Sequence, residues 1–123
     1  MSVFDPAAAA KFYCNDFDME IVGETVSPLA SSIYVSDDII SLAPLKYNTD
    51  KLAGMDKHAK CIKHTGFWAD NFEKQSEKLK KSCGTYFHEL PLKKKFLYYE
   101  MRFRDPNGII FDITNNRWVG AKK

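Results

Sequence analysis

The stretch that decides the fold is Tyr98–Thr114, with the sequence YYEMRFRDPNGIIFDIT. Apolar and polar residues alternate on both sides of Asn107-Gly108. This dipeptide between alternating runs is the strongest short-range signal for a β-hairpin, because both residues tolerate the positive φ of a tight turn. The alternation also places Asp112 inside an apolar strand, where burial of a carboxylate is costly unless another group pairs with it. We therefore predict a hairpin whose second strand carries a paired carboxylate.

Length and composition predict one globular domain. The chain has 123 residues, of which 45% are hydrophobic, and this is enough for a modest core. The net charge of +2 is too small to indicate a nucleic-acid partner. No apolar run approaches the roughly 20 residues of a membrane span, and no signal peptide is visible. Three cysteines without metal-type spacing fit free thiols in a reducing cytosol, so we expect a cytoplasmic protein with no membrane partner.

The chain divides into two halves of similar plan, each predicted as a strand, an Asp-capped helix and three further strands. Asp5 followed by Pro6 begins the first helix, and Asp70 is the predicted cap of the second. We place module one at about 1–47, a linker at 48–60 and module two at 61–123. Strands outnumber helices, which indicates an α+β fold of two βαβββ modules rather than a doubly wound sheet. We expect the first strand to be truncated, because Met1 falls close to the end of that strand.

The internal duplication makes a prediction about a shared site. His64 precedes the predicted cap by six residues, and the equivalent position in the first half falls before Met1. The run Ile39–Leu42 matches Ile110–Ile113, which places Ser41 at the position of Asp112. A site with two ligands in each half would therefore keep only its second-half ligands in this chain.

Several segments together resemble the vicinal oxygen chelate superfamily, which includes glyoxalase I, bleomycin-resistance proteins and extradiol dioxygenases. The resemblance covers nearly the whole chain and rests on these segments: Lys11–Tyr13, Phe17–Gly23, His64–Asp70, and Arg104–Gly108 leading to Asp112. It implies two βαβββ modules that form an open barrel-like sheet with a cleft. It also implies a divalent metal (Fe, Mn, Zn or Ni) at the cleft floor, a small-molecule ligand and a homodimer.

The resemblance assigns His64 and Asp112 as metal ligands. The family normally has Glu at the second position, and Asp is one methylene shorter. Ser41 matches the ligand position of the first module, where it cannot supply an anionic oxygen and would only line the pocket. The alternative for the two second-half residues is a hydrogen-bonded His–Asp pair left in a former metal site. We expect their replacement by Ala to change ligand or metal binding more than stability.

Four further residues are candidates for the site. Glu100 could be a third ligand or a general base, or it could be an ion-pair partner of Arg102 or Arg104. Tyr98 could donate a hydrogen bond to a substrate oxygen, or it could be a half-buried strand residue. Trp68 shares a strand face with His64 and could line a ligand pocket or simply pack in the core. Arg102 is predicted to face the same pocket as Glu100.

Two classes of function remain open on the sequence. In the first, the protein is an enzyme in which a metal polarises vicinal oxygens of a small molecule and a carboxylate moves a proton, in lyase, isomerase or dioxygenase chemistry. In the second, the protein binds or sequesters a small molecule without catalysis, as bleomycin-resistance proteins do, and its metal site is degenerate. A homodimer is expected in either case, because a truncated edge strand leaves backbone groups that another subunit could pair.

Overall fold

A computed structural model describes residues 1–50, 58–82 and 101–115, and the backbone of 85–89. These residues form two compact units, the first ending at Ile62 and the second beginning at Lys63. Each unit combines a helix with an antiparallel or mixed sheet, which confirms the predicted α+β class. Within the described ranges, no helix has the length and apolar character needed to cross a membrane.

The first unit is a four-stranded sheet with one helix packed on it. The helix α1 begins where predicted, because the Asp5 carboxylate accepts hydrogen bonds from two first-turn amides and Pro6 supplies a helical φ. Its buried core is formed by Ala10, Met19 and Val35. The elements are α1 Pro6–Phe17, β1 Glu20–Val26, β2 Ala30–Ser36, β3 Ser41–Leu42 and β4 Leu45–Tyr47.

A short opening segment occupies the place of the first strand in this unit. Ser2 forms a parallel bridge with Leu45. The backbone N–H of Leu45 donates to the Met1 carbonyl oxygen at 2.8 Å, and the N–H of Val3 donates to the Leu45 carbonyl oxygen at 2.8 Å. Residues 1–3 therefore pair beside β4, in the place where the sequence predicts the opening strand of the first module.

The second unit has the complete order strand, helix, three strands. Its sheet order is β5-β8-β7-β6, with β5 parallel to β8 and the other pairs antiparallel. This topology confirms the predicted βαβββ plan for the second half. The elements are β5 Thr65–Trp68, α2 Phe72–Lys81, β6 Thr85–Glu89, β7 Met101–Arg104 and β8 Ile110–Thr114.

The start of α2 differs from the prediction by one residue. The side chain of Asn71, not that of Asp70, accepts the capping hydrogen bond from the Lys74 amide at 2.9 Å. Asp70 instead accepts a hydrogen bond from the Trp68 indole Nε1 at 3.2 Å. Both side chains can cap a helix, so the sequence alone did not distinguish them.

The hairpin between β7 and β8 exists, but its loop is longer than the predicted two-residue turn. Arg104 pairs with Ile110, so residues 105–109 form the loop. Gly108 has a φ of +82°, whereas Asn107 lacks the positive φ that a tight two-residue turn would require. The Asp105 carboxylate accepts hydrogen bonds from the amides of Asn107 and Ile109, both at 2.8 Å. The Asp105 backbone pairs across the loop as well, because its N–H donates to the Ile109 carbonyl oxygen and its carbonyl oxygen accepts from the Gly108 N–H, both at 2.9 Å. The side chain therefore adds to the backbone hydrogen bonds that close the loop.

The longer loop sets which residues face each other across β7 and β8. Met101 and Phe103 lie on the face that packs against Phe72 of α2, together with Ile113. The opposite face, hereafter the far face, carries Arg102 and Asp112 as direct register partners. One face of the hairpin therefore packs in the core, and the far face carries the Arg102–Asp112 pair.

Candidate functional site

The candidate site is built around the buried carboxylate of Asp112 on the far face. The residue is 1% exposed, although it lies in the middle of a strand whose neighbours form the core. A buried carboxylate requires a compensating charge or several hydrogen-bond donors. Every fully buried side-chain N or O atom in the described part of the chain has a hydrogen-bond partner.

The compensating charge comes from Arg102. Its Nε donates to Oδ1 of Asp112 at 2.7 Å, and its Nη2 donates to Oδ2 at 2.7 Å. This bidentate arrangement matches the planar fork of the guanidinium to both carboxylate oxygens, which makes it one of the stronger polar interactions available in proteins. The Arg102 side chain is 22% exposed, against 2% for that of Asp112. The pair therefore has a buried acidic end and a guanidinium that reaches the surface.

His64 is the third member of the site. It lies two residues before Gly66, the residue that pairs with Asp112 in the parallel β5–β8 ladder. Its Nε2 atom is 3.3 Å from Oδ2 of Asp112, and its side chain is 37% exposed. Partial burial lowers the pKa of His64, Asp112 opposes this by raising it, and Arg102 lowers it further. The imidazole is therefore neutral near neutral pH, and a proton on Nε2 would leave Nδ1 as a proton acceptor.

The structure brings together His64 and Asp112 as predicted, but it gives Asp112 a partner that the sequence analysis missed. That analysis weighed Arg102 as an ion-pair partner of Glu100 and not of Asp112. Glu100 and Tyr98 lie outside the described residues, so their predicted roles stay predictions. The signal that could have found the pair is the centre of the hairpin loop, because a loop centred on Asn107 places Arg102 opposite Asp112, whereas a two-residue turn at Asn107-Gly108 does not.

The remaining candidates lie in different places. Trp68 is half-buried at the end of β5 on the strand face that it shares with His64, as expected, and its indole donates to Asp70. Ser41 lies in the first unit, where its hydroxyl donates to that of Ser36 at 3.2 Å. The pairs Ser36–Ser41 and Arg104–Ile110 hold equivalent places beside their hairpin loops.

The match of Ser41 to Asp112 on which the sequence analysis relied stays a prediction, because the two hairpin loops differ in length by one residue.

Among the residues that the structure describes, those around Asp112 do not fit the divalent metal that the family resemblance implies. Metal sites of this kind need at least three protein ligands, with lone pairs directed at the ion. Both oxygens of Asp112 instead face guanidinium N–H groups at 2.7 Å, and the guanidinium carries a positive charge. Across the described ranges, no group of three or more His, Cys, Asp or Glu side chains could hold a metal ion.

Comparison with known proteins gives a consistent result. The sequence model of the Glyoxalase/Bleomycin resistance protein/Dioxygenase superfamily matches residues 1–113. A search of curated proteins found no match. Among solved structures, a hypothetical protein from Bacillus halodurans C-125 has a TM-score of 0.72 at 11% identity, covering 99% of this chain and 89% of its own.

Two epimerases are also similar in structure. Methylmalonyl-CoA epimerase from Mycobacterium tuberculosis has a TM-score of 0.70 at 10% identity, covering 92% of this chain and 81% of its own. A variant of the Streptomyces coelicolor enzyme has a TM-score of 0.65 at 12% identity, covering 92% and 90%. At these identities the likeness establishes the fold and nothing about substrate.

Proposed function

The chain belongs to the Glyoxalase/Bleomycin resistance protein/Dioxygenase superfamily, and from that premise we propose that it binds a small organic molecule on the far face of the second unit without a divalent metal at Asp112. The observation that carries the proposal is the bidentate pairing of Asp112 with Arg102. A carboxylate engaged at both oxygens is a poor ligand for a metal, yet it holds the guanidinium in a defined orientation.

The exposure of the three side chains indicates the chemistry of the ligand. Asp112 is buried, whereas Arg102 and His64 are 22% and 37% exposed. An incoming molecule would therefore meet a guanidinium and a neutral imidazole rather than a carboxylate. A guanidinium recognises oxygen acceptors, and carboxylates best of all. We expect the ligand to be a small molecule with a carboxylate or with neighbouring carbonyl and carboxylate oxygens.

The test is direct binding of a matched pair of molecules in the presence of excess EDTA. Benzoylformate carries neighbouring ketone and carboxylate oxygens and an aromatic ring, while its amide lacks the negative charge. Saturation-transfer NMR should show contact with benzoylformate, a weaker signal for the amide and no effect of EDTA. Binding that disappears with EDTA would overturn the metal-independent site. Failure of benzoylformate and related 2-oxo acids to bind would overturn the proposed ligand class.

A second candidate function, metal-independent proton transfer, is favoured by His64 specifically. An imidazole whose pKa is lowered by burial is unprotonated near neutral pH and can act as a general base. It would take a proton from the carbon next to a ligand carbonyl. The electron pair of the broken C–H bond would move to the carbonyl oxygen as an enolate, close to the Arg102 guanidinium, and the imidazolium would return the proton.

Solvent exchange tests this second function separately from binding. In D₂O, an active protein should replace the protons on C3 of 2-oxobutyrate, the carbon next to the ketone, with deuterium. The exchange should be faster than in buffer alone, as seen by proton NMR. His64→Gln should abolish the acceleration. Exchange at the buffer rate, for a molecule that binds, would establish a binding protein without this chemistry.

We also propose a cytoplasmic homodimer. β1 pairs only with β2 in the described sheet of the first unit, so its other edge can accept a second chain. Ile21 and Val26 on this strand are 62% and 84% exposed, so apolar surface is available along the edge strand. Among the described cysteines, Cys14 and Cys61 are free thiols, which supports a reducing compartment.

A further inference from the structure

The Arg102–Asp112 pair places a fixed positive charge where a divalent cation would need to approach the carboxylate. Each carboxylate oxygen is 2.7 Å from a guanidinium nitrogen, and the acidic side chain is 2% exposed. Among the described residues of the far face, His64 also lies close to the carboxylate, at 3.3 Å. These three side chains together carry one negative charge, one permanent positive charge and one imidazole that is neutral near neutral pH.

We propose that the Arg102 guanidinium is a built-in cation that takes the place of a divalent ion at Asp112 and excludes such an ion from the site. The inference goes beyond the proposed binding function, because it holds whichever small molecule the protein binds. It makes a specific claim about Asp112 and His64. With the Arg102 guanidinium removed, these two side chains could supply two ligands of a weak metal site whose remaining positions are filled by water.

The physical argument rests on charge and on hydrogen bonding. A guanidinium remains charged at every pH at which the protein is folded, so neither pH nor chelation can vacate the position. A divalent cation would have to break two charge-assisted hydrogen bonds before it reached either oxygen. It would then lie beside a like charge in a region shielded from water, where repulsion is stronger than at the surface.

The experiment replaces the charge and leaves both latent ligands in place. Arg102→Gln keeps a side-chain amide that can donate to Asp112 but carries no charge. Co²⁺ is the probe, because its visible absorption bands report coordination by the protein. We expect Co²⁺ to bind Arg102→Gln on the order of tenfold or more tightly than wild type, since affinity depends on accessible, deprotonated ligands.

Two controls locate the effect. Arg104→Gln removes the same charge from the same strand face. Arg104 donates to the Gly108 carbonyl oxygen at 3.1 Å in the hairpin and not to Asp112. This variant should therefore bind Co²⁺ as wild type does. Adding Asp112→Asn to Arg102→Gln should return Co²⁺ binding to the wild-type level. Absorption that persists in this double variant is binding elsewhere on the chain and is subtracted.

A second variant protects the test against a folding defect. Arg102→His can hydrogen-bond to Asp112 and offers a third ligand when its imidazole is neutral, above a pKa of about 6.5. Its unfolding temperature should rise with Co²⁺, because a ligand that binds only the folded state stabilises it. Equal, Asp112-dependent Co²⁺ binding by wild type and Arg102→Gln would overturn the inference, as would a folded Arg102→His that binds no Co²⁺.

The two proposals fail separately. A protein that binds no 2-oxo acid would contradict the proposed function, while the Co²⁺ titrations would still decide whether Arg102 excludes a metal.

Discussion

Removing Arg102 alone should destabilise the protein more than removing Arg102 and Asp112 together. The perturbation is a double-mutant cycle with Arg102→Met, Asp112→Leu and the combined variant. Arg102→Met leaves a carboxylate that is 2% exposed without its counter-charge. Such losses cost about 3–5 kcal/mol, and we expect the lower end, about 3 kcal/mol, because His64 remains 3.3 Å from Oδ2.

The two partners should not be equivalent. Asp112→Leu leaves a guanidinium that is 22% exposed and can turn toward water, so we expect a cost of about 1.5 kcal/mol. The combined variant replaces an ion pair with apolar side chains and should also cost only about 1.5 kcal/mol. The resulting coupling energy of about 3 kcal/mol is at the top of the range for contacting residues.

The assay is urea unfolding near neutral pH, followed by both circular dichroism and tryptophan fluorescence. Coincident transitions are needed before a single free energy of unfolding is assigned, because the chain has two compact units. Arg104→Met is the matched control and should cost less than about 1 kcal/mol, as expected for an exposed arginine contact. Additivity of the two single variants to within about 0.5 kcal/mol would refute the reasoning. A large loss of stability in Asp112→Leu would also contradict the sequence-based expectation that Asp112 matters mainly for ligand binding.

Four further outcomes are expected. Burial lowers the pKa of His64 below 6.5, so the unfolded chain binds more protons in that window, and stability should fall as pH drops below about 6.5. Urea titrations across this range should show that His64→Gln flattens the dependence of stability on pH. Gly108→Ala should lower the free energy of unfolding by about 1 kcal/mol, because a residue with a side chain is strained at a φ of +82°. No atom lies within 4 Å of the added Cβ, so the cost is conformational and not steric. An unchanged urea midpoint would contradict this. Asn71→Ala should cost about 1 kcal/mol through loss of the α2 cap and Asp70→Ala clearly less, and the reverse order in urea melts would restore the original cap assignment. Finally, sedimentation at tens of micromolar, on the order of weak dimer constants, should show a dimer, and a monomer there would count against the exposed β1 edge as an interface.

Features determined by neighbours in the sequence were predictable. Asp5 and Pro6 begin α1 as expected, because capping and a fixed proline φ act within one helical turn. Alternation within each strand correctly separated Met101 and Phe103 from Arg102, and Ile113 from Asp112. The family resemblance also rested on such short segments, and it correctly indicated the βαβββ plan of the second unit.

The chemistry of the site depended on contacts that local patterns do not specify. A two-residue turn at Asn107-Gly108 would have paired Asp112 with Phe103, whereas the loop closed by the Asp105 carboxylate pairs it with Arg102. A shift of one residue in register exchanges the two faces of a strand, so one side-chain hydrogen-bonding pattern decided between an apolar neighbour and a counter-ion. The approach of His64 required a parallel pairing of β5 with β8 across more than forty residues of chain. Only folding brings such distant segments together, because the entropy of closing the loop is recovered by packing of the whole unit and not by any local motif.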